Sequence, residues 1–213
     1  MPVYVVANPK GGAGKSTVAT NLAGWLARQG HAVALGDLDR QQSARQWLAL
    51  RPPQLPPIHP LELADGSVLR TPKGCTHLVL DTPAGLHGKR LDLVLKIADR
   101  IVVPLQPSPF DLAATHAFLQ QLAGHKRGGR LETAGSVALV AMRVKEHTHA
   151  TQHLHEFLDA VAPAPLNIPV THLRDTQNYA HLAARGLTLF DVVPGRVERD
   201  LQQWLPLTDW LTS

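Results

Sequence analysis

One cysteine, Cys75, stands in 213 residues. That scarcity excludes an intrachain disulfide, a four-cysteine zinc site and an iron–sulfur cluster held wholly by one chain. It points to a reducing, cytoplasmic compartment. No apolar run approaches the roughly 20 residues that a membrane span needs. The start, Met1-Pro2-Val3-Tyr4, lacks the basic stretch of a secretory signal. Charge of one sign is also scarce. The 21 Lys and Arg against 17 Asp and Glu leave +4, which permits contact with nucleic acid or an anionic surface without requiring it. Hydrophobic residues, by contrast, reach 44%. That suffices for a packed core, and a chain of this length reads as one domain over residues 1–213.

Short β-rich apolar runs alternate with helical patterns. The runs fall at residues 3–7, 32–38, 77–80, 100–105 and 137–142. Helical patterns fall at 15–29, 41–50, 89–98, 112–125, 150–161, 176–184 and 196–211. Nearly continuous apolar strands between helices predict an α/β fold, a mostly parallel central sheet with helices on both faces. Ligands of such sheets sit at the carboxyl ends of the strands. Residues 51–60 are dense in proline and read as a stiff connector returning the chain to the sheet. Gly128-Gly129 marks a turn.

The most informative run is Asn8-Pro9-Lys10-Gly11-Gly12-Ala13-Gly14-Lys15-Ser16-Thr17, between a predicted strand and a predicted helix. That context identifies a phosphate-binding P-loop. Gly11, Gly12, Ala13 and Gly14 let backbone N–H groups turn inward around phosphate oxygens without Cβ clashes. The helix opening at Lys15 aims its positive end at the same anion. Lys15 is expected to reach the β- and γ-phosphates, Ser16 to ligate Mg²⁺ and Thr17 to serve the α-phosphate. The first glycine departs from the general GxxxxGK[ST] spelling; the run reads K-G-G-A-G-K-S-T. In this form it resembles the deviant Walker-A ATPases of the ParA/MinD family. The resemblance implies a P-loop NTPase fold, ATP and Mg²⁺ as ligands, and an ATP-sandwich homodimer in which Lys10 crosses to the partner's nucleotide.

Two acidic stations follow. Asp37 and Asp39 alternate onto one face near the end of a predicted strand, and buried carboxylates there need a cation or a proton. The family's D-x-D-P-Q pattern implies that Asp37 supports the magnesium water shell and Asp39 orients the attacking water. Arg40 stands where proline is usual and reads as an added phosphate or partner contact. His77-Leu78-Val79-Leu80-Asp81 has the Walker-B pattern, an apolar strand ending in a carboxylate that holds Mg²⁺ through water. Pro83 and Gly85 suit a loop that senses the γ-phosphate. Pro104 to Ser108 resembles the ParA strand exit that shapes the dimer face.

The resemblance thins after residue 145. It places Arg143 at the adenine, against the competing reading of a solvated surface arginine. Arg174, with Arg196 and Arg199 behind it, is implied to bind DNA without sequence preference, although Asp175, Asp191, Glu198, Asp200 and Asp209 offset that charge locally. Lys126, Arg127 and Arg130 read as a solvated basic turn. His147, His149, His153 and His155 read as a solvated helix face rather than a metal site. In the last helical pattern Pro206 interrupts and Arg199 is the final basic residue, unlike a membrane-docking basic helix. The leading expectation is a ParA-like ATPase that binds DNA when ATP-bound, associates with the nucleoid and positions a plasmid, chromosome or protein cargo. A cargo-linked partner protein stimulates its hydrolysis. The alternatives are a MinD-like membrane-associated ATPase and a P-loop metabolic ligase. The redox relatives need paired cysteines, which Cys75 alone does not supply.

Overall fold

The computed structural model describes residues 1–64, 68–124, 135–161 and 168–213. The glycine pair at 128–129 and the cluster of Lys126, Arg127 and Arg130 lie outside these described residues. The strands are β1 (Val3–Val6), β2 (Val33–Asp37), β3 (Ile58–Pro60), β4 (Glu62–Ala64), β5 (Val68–Arg70), β6 (His77–Asp81), β7 (Arg100–Leu105), β8 (Val137–Val144) and β9 (Val170–Arg174). The helices are α1 (Lys15–Arg28), α2 (Ser43–Ala49), α3 (Gly88–Ile97), α4 (Pro109–Gly124), α5 (His149–Val161), α6 (Asn178–Ala183) and α7 (Glu198–Thr212).

Seven strands form one sheet in the order β3-β2-β6-β1-β7-β8-β9, and every pairing in it is parallel. The parallel sheet read from the apolar runs is therefore the one observed. Alternation along the strands divides the core in two. Tyr4, Val6, Val79, Val102 and Val140 face one way, onto α1, α2 and α7. Val3, Val5, Leu80, Ile101 and Leu139 face the other, onto α3, α4 and α5. β1 is central; the chain runs to β2 on one side and later to β7, β8 and β9 on the other. That reversal opens a crevice at the carboxyl end of β1, where the glycine loop lies.

Several expectations shift. The proline-rich segment does not only connect: its end becomes the edge strand β3, pairing with β2. An edge position tolerates Pro60, whose missing N–H faces away from the ladder. The segment is anchored by Arg51, whose guanidinium bonds Asp191 at 2.9 Å, the two side chains 5% and 0% exposed, and also bonds the Pro56 carbonyl. Residues 170–174, to which the apolar runs assigned no strand, form β9 ahead of α6. The helix expected over 41–50 shortens to Ser43–Ala49 because Gln42 adopts φ 54°, outside the right-handed region. Pro206 does not interrupt α7, which runs through it. Pro206 is exposed, while Trp204, Leu207 and Leu211 are buried and hold both halves to the core.

Candidate nucleotide-binding site

The loop between β1 and α1 is shaped by its glycines. Gly12 and Gly14 sit at φ 76° and 100°, which side-chain-bearing residues rarely adopt. A Cβ on Gly14 would also lie 3.0 Å from Met142 Cε. Gly14 occupies the N-cap of α1 and offers no side chain to the first-turn N–H groups, which leaves that end suited to an anion.

Residues not singled out in the sequence brace the loop. Asn8 is 1% exposed; its amide donates to Pro104 O at 2.8 Å and Thr115 Oγ1 at 3.0 Å, while its Oδ1 accepts the Lys10 N–H at 2.8 Å. Gln106 Nε2 donates to Gly12 O. Gly85 N–H donates to Pro9 O at 2.9 Å, which ties the loop after β6 to the phosphate loop. Thr82 Oγ1 donates to Val6 O at 2.9 Å. A lone Asn between an apolar strand and a glycine run was the one sequence signal for this brace. Gln106 had none, because its contact spans 94 residues.

Lys15 is buried, and its Nζ donates to Lys10 O at 2.7 Å. Burial lowers its pKa, opposed by the charges of Asp81 and Asp39. Lys10 is half-buried at the mouth of the loop. Ser16 and Thr17 are half-buried at the start of α1, and Thr17 O accepts from Asn21 Nδ2 at 2.9 Å.

The acidic stations stand in unequal states: Asp37 and Asp81 end neighbouring strands in register, and Asp39 lies in the bend beyond β2 rather than on the strand face expected for it. Asp37 is 9% exposed. Its Oδ1 accepts the Asp39 N–H at 2.9 Å, and its Oδ2 accepts those of Ala44 at 2.8 Å and Arg45 at 3.2 Å. It therefore anchors the start of α2 as well as facing the site. Asp39 Oδ1 accepts the Gln41 N–H at 2.9 Å, and Gln42 Nε2 bridges the carbonyls of Asp37 and Asp39. Asp81 is 1% exposed, and neither carboxylate oxygen has a hydrogen-bond partner of proper geometry among the described residues. Burial pushes its pKa up to about 7, and the charges of Asp37 and Asp39 push the same way; the nearby Ser16 hydroxyl and Lys15 oppose them. The buried carboxylate and the nearby hydroxyl supply oxygen donors that fit a hydrated Mg²⁺.

The remaining expected residues lie elsewhere. Arg143 is exposed at φ 53°, within the β8 irregularity between Ala141 and Val144. Its neighbour Met142 is the residue packed on Gly14. Arg174 is committed inward: its guanidinium bonds Asp200, which is fully buried and also accepts from Asn178. Arg199 pairs with exposed Glu146. Arg196 is exposed in a short 3-10 turn, Pro194–Arg196. Cys75 is partly buried against the apolar core, and its pKa is raised by that burial, a setting that quiets thiol chemistry. No group of three or more His, Cys, Asp or Glu among the described residues is arranged to hold a metal by direct ligation alone.

A parallel sheet whose central strand feeds a glycine loop and a helix N-terminus, with an acidic strand end beside it, defines a P-loop NTPase fold. The chain matches the CobQ/CobB/MinD/ParA nucleotide binding domain, CbiA, over residues 4–190 and belongs to that family. It is 40% identical over 116 residues to a maintenance of carboxysome distribution protein A from Gloeobacter kilaueensis, covering 52% of each chain. It is 25% identical to the protein of the same name from Halothiobacillus neapolitanus, covering 88% of this chain and 86% of that one. A probable plasmid-partitioning protein ParA from Thermus thermophilus is 33% identical over 181 residues, 76% of this chain and 53% of its own. The chain thus spans about half the length of two of these relatives. Among solved structures, apo McdA of Cyanothece superposes with a TM-score of 0.76 at 13% identity, covering 99% of both chains. MinD of Aquifex aeolicus superposes with a TM-score of 0.72 at 14% identity, covering 100% of this chain and 98% of that one. At these identities the likeness shows the fold.

Proposed function

We propose that this protein is a Mg²⁺-dependent ATPase that forms an ATP-sandwich dimer, binds DNA without sequence preference and positions a cargo, with hydrolysis stimulated by a cargo-linked partner. The observation that carries the catalytic part is Asp81: a carboxylate buried with no partner is costly unless a cation completes it. When bound, Mg²⁺ neutralises charge on the phosphates and holds them in line. Around it the chain's residues divide the work. The loop glycines and the α1 N-terminus bind phosphate oxygens, Lys15 moves from Lys10 O to the phosphates, and Ser16 and Asp81 hold the hydrated cation with Asp37 behind them. Asp39 orients the attacking water, and Lys10 reaches the partner's nucleotide. This is catalysis by positioning and charge neutralisation, with no covalent step on the protein.

The relatives' printed names support a positioning role, in carboxysome distribution or plasmid partition. Arg196 and Arg199 are the better DNA contacts; Arg174 supports them by fixing β9 to α7 through Asp200. Arg143, exposed near the end of β8, is available to the adenine. Membrane docking by α7 is disfavoured, because its apolar stripe is already buried in the core, and no helix among the described residues is long and apolar enough to cross a membrane. Co-sedimentation with random-sequence DNA tests the reading. DNA is expected to pellet wild type with ATP and Mg²⁺, not with ADP, and not to pellet Lys15→Ala under either condition. Liposome binding, or substrate-dependent turnover indifferent to DNA, would redirect it to the membrane or metabolic class.

A further inference from the structure

A cavity of about 440 Å³ opens at the amino ends of β1 and β7, the end of the sheet away from the phosphate loop. That size falls within the range of small-molecule sites. Tyr4 and Arg100 are registered neighbours on the two strands, and both line it. α7 closes one side with Leu211, which is buried, and Pro2 and Asp99 add to the wall.

Arg100 is held there without a polar partner. Its guanidinium lies over the ring of Trp210, 4.7 Å from the centroid. That indole is itself fixed by its hydrogen bond to Gly135 O at 2.8 Å. Nη1 of Arg100 is buried and has no hydrogen-bond partner among the described residues. Nε and Nη2 are not sealed in this way; they bond no described residue and stay open to the cavity that Arg100 lines. A guanidinium partly stripped of water on a rigid surface, with no acceptor, carries a desolvation cost that an acceptor in the cavity offsets. Asp99 is turned to Val3 instead, whose N–H its Oδ2 accepts at 2.7 Å. Burial raises the pKa of the Tyr4 phenol, with the Asp99 charge adding to the rise and Arg100 opposing it. The phenol therefore keeps its proton and remains a donor.

We infer that this cavity is a binding site for a small organic acid with a single carboxylate on an apolar body. The carboxylate takes the two N–H groups of the Nε–Nη2 edge, the fork that a guanidinium offers to a planar anion. The apolar body lies against Leu211 and Pro2. Charge favours one carboxylate over a phosphate dianion, because Asp99 on the wall opposes a second negative charge. The stacked indole presets the fork, so little freedom is lost on binding. None of these residues belongs to the phosphate loop or to the acidic stations, and the inference does not rest on the function proposed above.

Titration of para-fluorobenzoate, followed by fluorine NMR line broadening at about pH 8, where phenyl phosphate carries two charges, tests the site. Saturating ADP keeps the probe off the phosphate loop. The neutral para-fluorobenzamide and phenyl phosphate serve as comparison ligands. The benzoate is expected to bind wild type, and each comparison ligand to bind at least about tenfold more weakly. Arg100→Met should lose at least about tenfold in benzoate affinity. Arg100→Lys, which keeps the charge without the fork, should also weaken it. Unchanged ADP affinity in a variant shows that its fold survives, and Arg100→Lys carries the comparison should Arg100→Met not fold. No benzoate binding by wild type, equal binding of the benzamide or of phenyl phosphate, or undiminished binding in a folded Arg100 variant would each overturn the inference. Wild type that fails to bind ADP but binds benzoate through Arg100 would instead contradict the nucleotide reading and leave this site intact.

Discussion

Asp37 and Asp81 are registered neighbours on adjacent parallel strands, yet one carboxylate is saturated and the other bare. Asp37 accepts three backbone N–H groups, whereas both oxygens of Asp81 are buried without a partner. The pair separates two settings along one strand boundary: Asp37 holds the loop that carries Asp39, and Asp81 is the carboxylate proposed above to face a cation.

Asp81→Asn is expected to raise the stability of the ligand-free protein by about 1–3 kcal/mol, because it removes a buried charge whose desolvation outweighs the help of Ser16 and Lys15. The same change should abolish Mg²⁺-dependent hydrolysis. Thermal melts with and without Mg²⁺–ATP check both halves. A ligand-free variant that melts lower than wild type would show that Asp81 is satisfied within the chain.

Arg51 and Asp191 join the proline-rich segment to the C-terminal region as a buried ion pair. Asp191 also accepts from the Thr188 N–H and hydroxyl. Asp191→Ala leaves a buried guanidinium uncompensated and is expected to cost about 3–5 kcal/mol. Urea unfolding measures the loss. A change below about 1 kcal/mol would mean that the pair is solvated in solution.

His172 gives the protein an acid-side weakness. Its Nε2 is buried without a hydrogen-bond partner among the described residues, its ring stands 5.5 Å from that of His155, and burial, then the His155 charge, lowers its pKa below the ordinary 6.5. The folded state therefore binds fewer protons than the unfolded chain as pH falls through this window. The contribution is intact above about pH 6.5 and is lost on further acidification. Denaturation midpoints should drop below pH 6.5 in wild type, and His172→Leu should flatten that drop. An unchanged slope in the variant would assign the weakness to another group.

The strands β1, β2, β6, β7 and β8, their parallel arrangement and the phosphate loop were legible in the sequence because each rests on local periodicity or on a glycine pattern with a single physical purpose. Asp37 and Asp81 were legible because both stand at strand ends; Asp39 is held beside them by a bend that Asp37 caps, not by strand alternation. What escaped rests on distance along the chain. β3 has three residues, too few for a period, and ends in a proline. The Asn8 and Gln106 braces act across 96 and 94 residues. Arg174 reads as a surface cation until β9 and α7 meet and Asp200 claims it. The sequence showed a basic residue with several acidic ones nearby, and packing decided that Asp200 became its partner.

The central claim is that ATP joins two copies through the loop carrying Lys10 and that Asp39 ends the union by hydrolysis. Molar mass by light scattering tests it most directly. The account predicts dimer mass for wild type only transiently with ATP and Mg²⁺, a lasting dimer for Asp39→Ala, and a monomer that still binds ATP for Lys10→Ala. Monomer mass for Asp39→Ala saturated with ATP would contradict it.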